Sequence, residues 1–141
     1  GILGFAALAG CATAEEAAVQ AVSTTHHATL TGAQVVPSGG DADGYATGEL
    51  SVSDELNQIC YDVNEVRNLD PITSVTINRG ASGQNGPPIL RVERANEGDW
   101  KNCVNKAEWL EQSFEYAPGA YYILISTTRY PSGAIRGQFH D

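Results

Sequence analysis

Short runs in which apolar and polar residues alternate, each closed by a glycine or proline cluster, constrain this chain more than any other feature. Tyr45 to Val52 (YATGELSV) puts Ala46, Gly48, Leu50 and Val52 on one side and Tyr45, Thr47, Glu49 and Ser51 on the other. A period of two marks a strand with one face turned inward. Gln58 to Val66 (QICYDVNEV) repeats the pattern, with Ile59, Tyr61 and Val63 opposite Cys60, Asp62 and Asn64. The intervening Asp54-Glu55-Leu56-Asn57 predicts a hairpin turn. Ala28 to Val36, Ser74 to Asn78, Ile89 to Glu93, Tyr121 to Thr127 and Ala134 to Phe139 read as further strands. One helix is expected over Asn105 to Tyr116, where Trp109, Leu110 and Phe114 recur at helical spacing ahead of Pro118-Gly119. Many short strands separated by turns imply an all-β fold, a Greek-key sandwich or barrel, with one short helix.

The chain divides into residues 1–27, an apolar segment and connector expected to form an extended arm, and residues 28–141, the β domain; 141 residues suit one such domain. The formal charge is -9, and no Lys or Arg precedes Arg67. A nucleic-acid binder needs a basic stripe to displace counterions from phosphate, and a lipid-surface binder needs a basic patch. This chain has neither, so nucleic acid is not expected as a partner.

Residues 1–14 (GILGFAALAGCATA) are uncharged and apolar. The run is too short for the roughly 20 residues that span a bilayer. Leu8-Ala9-Gly10-Cys11 resembles the bacterial lipobox, in which cleavage precedes the cysteine and its sulfur is acylated, so Cys11 is a candidate membrane tether. If the segment stays attached instead, Ile2, Leu3, Phe5 and Leu8 need shelter from water, and a groove on a neighbouring copy of the chain would supply it. Three cysteines are an odd set. Cys60 lies in a strand and Cys103 in a later polar connection; the two either bridge, which implies an oxidising compartment, or stay as separate buried thiols.

Three blocks together resemble the CHRD (chordin-type) domain family. They are Leu30-Thr31-Gly32-Ala33-Gln34-Val35-Val36-Pro37, Val75 to Pro87 (VTINRGASGQNGP) and Tyr122 to Gln138 (YILISTTRYPSGAIRGQ). The blocks stand in the family's order and span about Ala28 to Phe139. The resemblance implies a secreted or surface domain, bacterial in type, with a sandwich like that of Cu/Zn superoxide dismutase or immunoglobulins. It also implies structural roles for Thr76, Asn78, Gly80, Gly86, Ser126, Pro131, Gly133, Arg136 and Gly137. Bacterial members carry His-x-His where this chain has Thr76-Ile77-Asn78, and a histidine where it has Ser126. Hydroxyl and amide groups are poor ligands for copper or zinc, so no inherited metal centre and no cofactor are expected. Arg136, in a strand of the third block, calls for a carboxylate partner if buried, Asp62 or Glu49. Gly133 suits a tight turn, and Gly137 suits close strand packing.

Other chemistry-bearing residues read blandly. His26 and His27 point opposite ways on an extended chain and are expected in a solvated linker; His140 is read the same way. A copper or zinc protein built on His26 and His27 would carry stoichiometric metal. Asp41-Ala42-Asp43-Gly44 starts like a calcium loop but lacks the glutamate expected at position 12, so a turn with at most weak calcium affinity is expected. Gly80, Gly83 and Gly86 lack the lysine of a phosphate loop. Ser126 has no histidine nearby in sequence to activate it, so an enzyme is not expected. The leading expectation is a non-enzymatic extracytoplasmic structural subunit that self-assembles through its apolar segment, as a filament or surface layer outside a bacterial cell. The alternative is a monomeric lipoprotein, tethered through Cys11, that binds a ligand or metal.

Overall fold

The structure, a computed structural model, describes residues 24–53, 56–94, 100–105 and 117–140. Its strands are β1 (Thr24–Thr31), β2 (Tyr45–Ser53), β3 (Gln58–Arg67), β4 (Ile72–Arg79), β5 (Pro88–Arg91), β6 (Lys101–Asn105), β7 (Tyr121–Thr127) and β8 (Ile135–Gln138). Short 3-10 turns occupy Gly32–Gln34 and Pro118–Ala120. The strands form one antiparallel sheet in the order β5-β4-β7-β8-β1-β2-β3-β6. The fold is therefore all-β, as the alternation predicts.

Two four-stranded halves meet where β8 pairs with β1, at Thr31 opposite Arg136. The same register continues to a bridge between His27 and His140, whose backbones exchange two 2.8 Å hydrogen bonds. The sheet curls so that its two ends approach. Tyr61 of β3 reaches the backbone of Glu93 just beyond β5, and the Val63 N–H donates to the Trp100 carbonyl. The inward faces supply the core: Leu30, Leu50, Ile59, Ile77, Ile125 and Ile135 are fully buried. Each such side chain stabilises by about 1.5–3 kcal/mol. The alternation read for β2 and β3 holds, with Ala46, Leu50, Val52, Ile59, Tyr61 and Val63 all in that core.

Cys60 and Cys103 stand directly opposite on β3 and β6, their Cα atoms 4.0 Å apart, and are joined in a disulfide. A crosslink of this kind restricts the unfolded chain and contributes about 2–4 kcal/mol. It ties the edge strand β6 to the sheet. The sequence reading placed Cys103 in a connection; Lys101 to Asn105 is a strand. With polar Lys101, Asn102 and Asn105, this segment carries little alternation of its own, and its strand pairing comes from tertiary contact.

Other boundaries also move. The first strand was expected over Ala28 to Val36 but runs from Thr24 to Thr31 and then breaks into a 3-10 turn. The break falls at Gly32, where an added side chain would collide with the backbone of Asp41. Asn105 ends β6 rather than starting a helix; the rest of the expected helix, 106–116, lies outside the described residues, as does the apolar segment 1–14.

Candidate functional site: a roofed polar network and an open groove

The family-type residues converge on the outer face of the β5-β4-β7-β8 half. Cross-strand pairing sets Ser74 opposite Ser126, Thr76 opposite Leu124 and Asn78 opposite Tyr122. Tyr122 in turn stands opposite Gln138, and Leu124 opposite Arg136. Residues opposite each other share a face. Thr76, Asn78, Ser126 and Arg136 are thus brought together on one surface, as the period of two requires for Thr76 and Asn78.

That surface is roofed. The segment from Gly80 to Pro87 folds back over it, and Asn78, Tyr122 and Arg136 are buried beneath. The Thr76 hydroxyl donates to Asn78 Oδ1 at 2.6 Å, and Asn78 Nδ2 donates to the Gly86 carbonyl at 3.0 Å. The Tyr122 hydroxyl accepts from the Gly86 N–H at 3.0 Å and donates to the Gly86 carbonyl at 3.3 Å. Gln138 Nε2 donates to the carbonyls of Gly80 and Gly119 at 2.6 and 2.9 Å. Asn85 Nδ2 extends the roof to the Val36 carbonyl at 3.1 Å. Gly86 has no alternative residue, since a Cβ there would collide with the carbonyl of Arg79.

Arg136 sits at the centre of this network and is 1 % exposed. Its guanidinium donates to the Ala81 carbonyl at 2.9 Å, to Gln138 Oε1 at 3.2 Å and to Asn85 Oδ1 at 3.5 Å, and lies over the Tyr122 ring. Neither Asp62 nor Glu49 is its partner, contrary to the sequence reading. Carbonyl oxygens and an aromatic face satisfy the cation instead. Burial pushes its pKa down, and Tyr122 acts in the opposite direction.

Tyr61 makes a second clamp of the same kind. Its buried hydroxyl donates to the Glu93 carbonyl at 3.2 Å and accepts from the Glu93 N–H at 3.0 Å. Burial raises its pKa, the hydrogen bond to the Glu93 backbone acts against that, and the Glu93 charge adds to the rise. The segment around β5 is therefore pinned on both sides, at Gly86 by Tyr122 and at Glu93 by Tyr61.

The remaining motif glycines behave as predicted. Gly133 adopts φ 140° after Pro131-Ser132, and its N–H closes the turn onto the Tyr130 carbonyl at 3.1 Å. A Cβ on Gly137 would come within 2.6 Å of the Thr29 carbonyl oxygen, so Gly137 permits the close approach of β8 to β1. Asp41 Oδ1 accepts from the Asp43 N–H at 3.1 Å, which makes that acidic pair the closure of a turn.

The histidine reading changes most. His26 and His27 lie within β1, not in a linker; His26 is 1 % exposed on the core side, and His27 faces outward. They do point in opposite directions. His27 pairs across the sheet with His140 on one side and Glu49 on the other. Glu49 pairs with Asp62, and Asp62 with Lys101. An ionisable row thus crosses the outer surface from His140 to Lys101. His27, Glu49 and His140, with Asn64 and Glu65, line an open groove of about 560 Å³. His27 Nδ1 lies 3.8 Å from Glu49 Oε2.

Sequence reasoning missed Tyr61, Tyr122, Asn85 and Gln138 as network residues. Tyr122 was legible in part, because alternation opposes it to Ile123 within YYILIST. Cys11, Ile2, Leu3, Phe5 and Leu8 lie outside the described residues. Among the described residues no helix is long and apolar enough to cross a membrane.

No curated protein and no solved structure matches the chain. The model of one protein family, the CHRD domain, matches residues 26–139. The matched span begins inside β1, ends just beyond β8 and takes in every residue of the roofed network. The chain belongs to the CHRD domain family.

Proposed function

We propose that this is a non-enzymatic extracytoplasmic module, held at a bacterial membrane through Cys11 and displaying its sheet to the outside. The observation that carries this reading is the Cys60–Cys103 disulfide. It uses two of the three cysteines and leaves Cys11, the one that stands in Leu8-Ala9-Gly10-Cys11. Disulfides persist in oxidising compartments outside the cytoplasm, and acylation of a lipobox cysteine takes place there too. The signature residues supply a reason to look beyond catalysis: the side chains of Asn78, Tyr122, Arg136 and Gln138 are spent on the chain's own backbone. Residues 12–23, small and mostly uncharged, then serve as the spacer between anchor and β1.

A second reading is favoured by the edge strands. β5 and β6 end the sheet, and an edge can accept a strand from a neighbouring copy. In that case Ile2, Leu3, Phe5 and Leu8 are retained and fill a groove on the next subunit, and the product is a homopolymer.

Intact mass of the protein purified from its native envelope separates the two. A diacyl or triacyl adduct on a chain starting at Cys11 is expected for the tether. A chain that retains residues 1–10, with Cys11 unmodified, overturns the tether; if that chain also sediments as an oligomer that loses assembly when residues 1–14 are deleted, the second reading holds.

A further inference from the structure

We propose that Asn85-Gly86 is a self-modification site, where the chain's own backbone nitrogen displaces the Asn85 amide group as ammonia, and that the Tyr122 hydroxyl governs its rate. This rests neither on the membrane tether nor on assembly.

The residue types come first. Asn85 is the one asparagine of the chain that is followed by glycine. Attack on an asparagine side chain requires the next residue's nitrogen to swing onto Cγ. A side chain on that next residue obstructs the ring that forms, whereas glycine leaves it clear and widens the choice of φ and ψ. Asn85 is also exposed, so water reaches the ring.

The step needs only the chain and water. The Gly86 nitrogen gives its proton to solvent and bonds to Asn85 Cγ. The Cγ–Nδ2 bond breaks, and the leaving nitrogen takes up a proton and departs as ammonia. Water then opens the cyclic imide at one of its two carbonyls, giving aspartate or, with the backbone rerouted through the side chain, isoaspartate.

The fold holds each reacting group. The Gly86 N–H donates to the Tyr122 hydroxyl at 3.0 Å, and the Gly86 carbonyl accepts from Tyr122 and from Asn78 Nδ2. The leaving group, Asn85 Nδ2, donates to the Val36 carbonyl at 3.1 Å. Gly86 is packed so tightly against Arg79 that an added Cβ would collide with its carbonyl. Rotating the Asn85-Gly86 peptide toward Cγ therefore breaks the Tyr122 clamp first. The carbon under attack is treated differently: Asn85 Oδ1 lies 3.5 Å from Arg136 Nη1. A cation beside that oxygen stabilises the negative charge it gains as nitrogen attacks. The site is armed at its carbon and restrained at its nitrogen, and release of the clamp starts the reaction.

The test incubates the full chain at mildly alkaline pH and follows the Asn85 peptide by mass spectrometry for aspartate and isoaspartate. The native chain should be modified at least about 100-fold more slowly than the same chain unfolded in urea. Tyr122→Phe, shown to be folded by protection of Ile123 and Ile125, should react about 10-fold faster than the native chain. Cys60→Ala with Cys103→Ala weakens the other half of the sheet and should leave the rate at its native value. A native rate equal to the unfolded one, or a Tyr122→Phe rate equal to the native one, overturns the proposal. So does a cysteine variant that reacts as fast as Tyr122→Phe, since global unfolding would then set the rate. A check free of substitutions uses the native chain in rising urea below its unfolding transition. Modification of Asn85 should rise in step with amide exchange at Gly86; a rise that follows exchange at Ile125 instead overturns the role of the clamp.

Discussion

The guanidinium of Arg136 lies over the ring of Tyr122, with Cζ 3.5 Å from the ring centre. The same tyrosine grips both the N–H and the carbonyl of Gly86 through its hydroxyl. One aromatic side chain therefore holds a buried cation on its face and a loop at its edge. The charge stays inside because the loop that covers it also supplies the Ala81 carbonyl. Loop and cation hold each other in place.

Replacing Arg136 with Ala should lower stability by about 2–4 kcal/mol, since a desolvated cation–π contact and a charged hydrogen bond are lost together. Arg136→Lys keeps the charge but not the planar fork, and should recover only part of it. Urea unfolding followed by tryptophan fluorescence measures both.

Gly86→Ala and Gly137→Ala test the packing directly. The first places a methyl group into the carbonyl of Arg79, and the second into that of Thr29. Each should cost about 1–3 kcal/mol or more. Gly83→Ala is the informative contrast: its φ is 84°, yet nothing lies within reach of an added Cβ. It should cost about 1–2 kcal/mol from backbone conformation alone.

Much of this fold is legible in the sequence, and the reason is local. The core positions of β2 and β3 follow from a period of two that no distant contact has to enforce. Residues whose environment is made by tertiary contact were read less well. Lys101 to Asn105 becomes a strand through pairing with β3, and Cys103 shows nothing of this in its own neighbours. His26 and His27 looked like linker because polar residues dominate around them, whereas pairing with Leu50 and Glu49 carries the strand back to Thr24. Arg136 stood as a candidate for burial and is buried, but an ion pair was sought where a loop carbonyl and a ring serve. Sequence spacing gives no hint that the loop after Gly80 returns to cover it.

Cleaving the Cys60–Cys103 bond should act mainly at the sheet edge. Cys103→Ala is expected to lower stability by about 2–4 kcal/mol and to release β6 first, because five residues of strand then depend on hydrogen bonds to β3 alone. Faster amide exchange over Lys101 to Asn105, with β7 and β8 unchanged, would show this. Uniformly faster exchange would mean that the bond supports the whole domain.

Alkali should weaken the fold through Tyr61. Burial raises its pKa in the folded chain, so as the pH climbs past about 10, the ordinary phenol value, the unfolded chain releases its proton first. Stability from this group is complete below that pH and is lost as the pH rises toward the folded value. Tyr61→Phe should remove this part of the alkaline decline, at a cost of about 1–2 kcal/mol near neutral pH for the lost Glu93 contacts. Urea midpoints measured near neutrality and above about pH 10 decide it.

The most direct measurement on the signature block is amide hydrogen exchange at Gly86, compared between the native chain and Tyr122→Phe. If the family-type residues exist to pin the Gly80–Pro87 loop, Gly86 should be strongly protected in the native chain. It should lose about a factor of 10 in protection in the variant, while Ile123 and Ile125 keep theirs. A Gly86 amide that exchanges rapidly in the native chain, or that is indifferent to the missing hydroxyl, would contradict the roofed network.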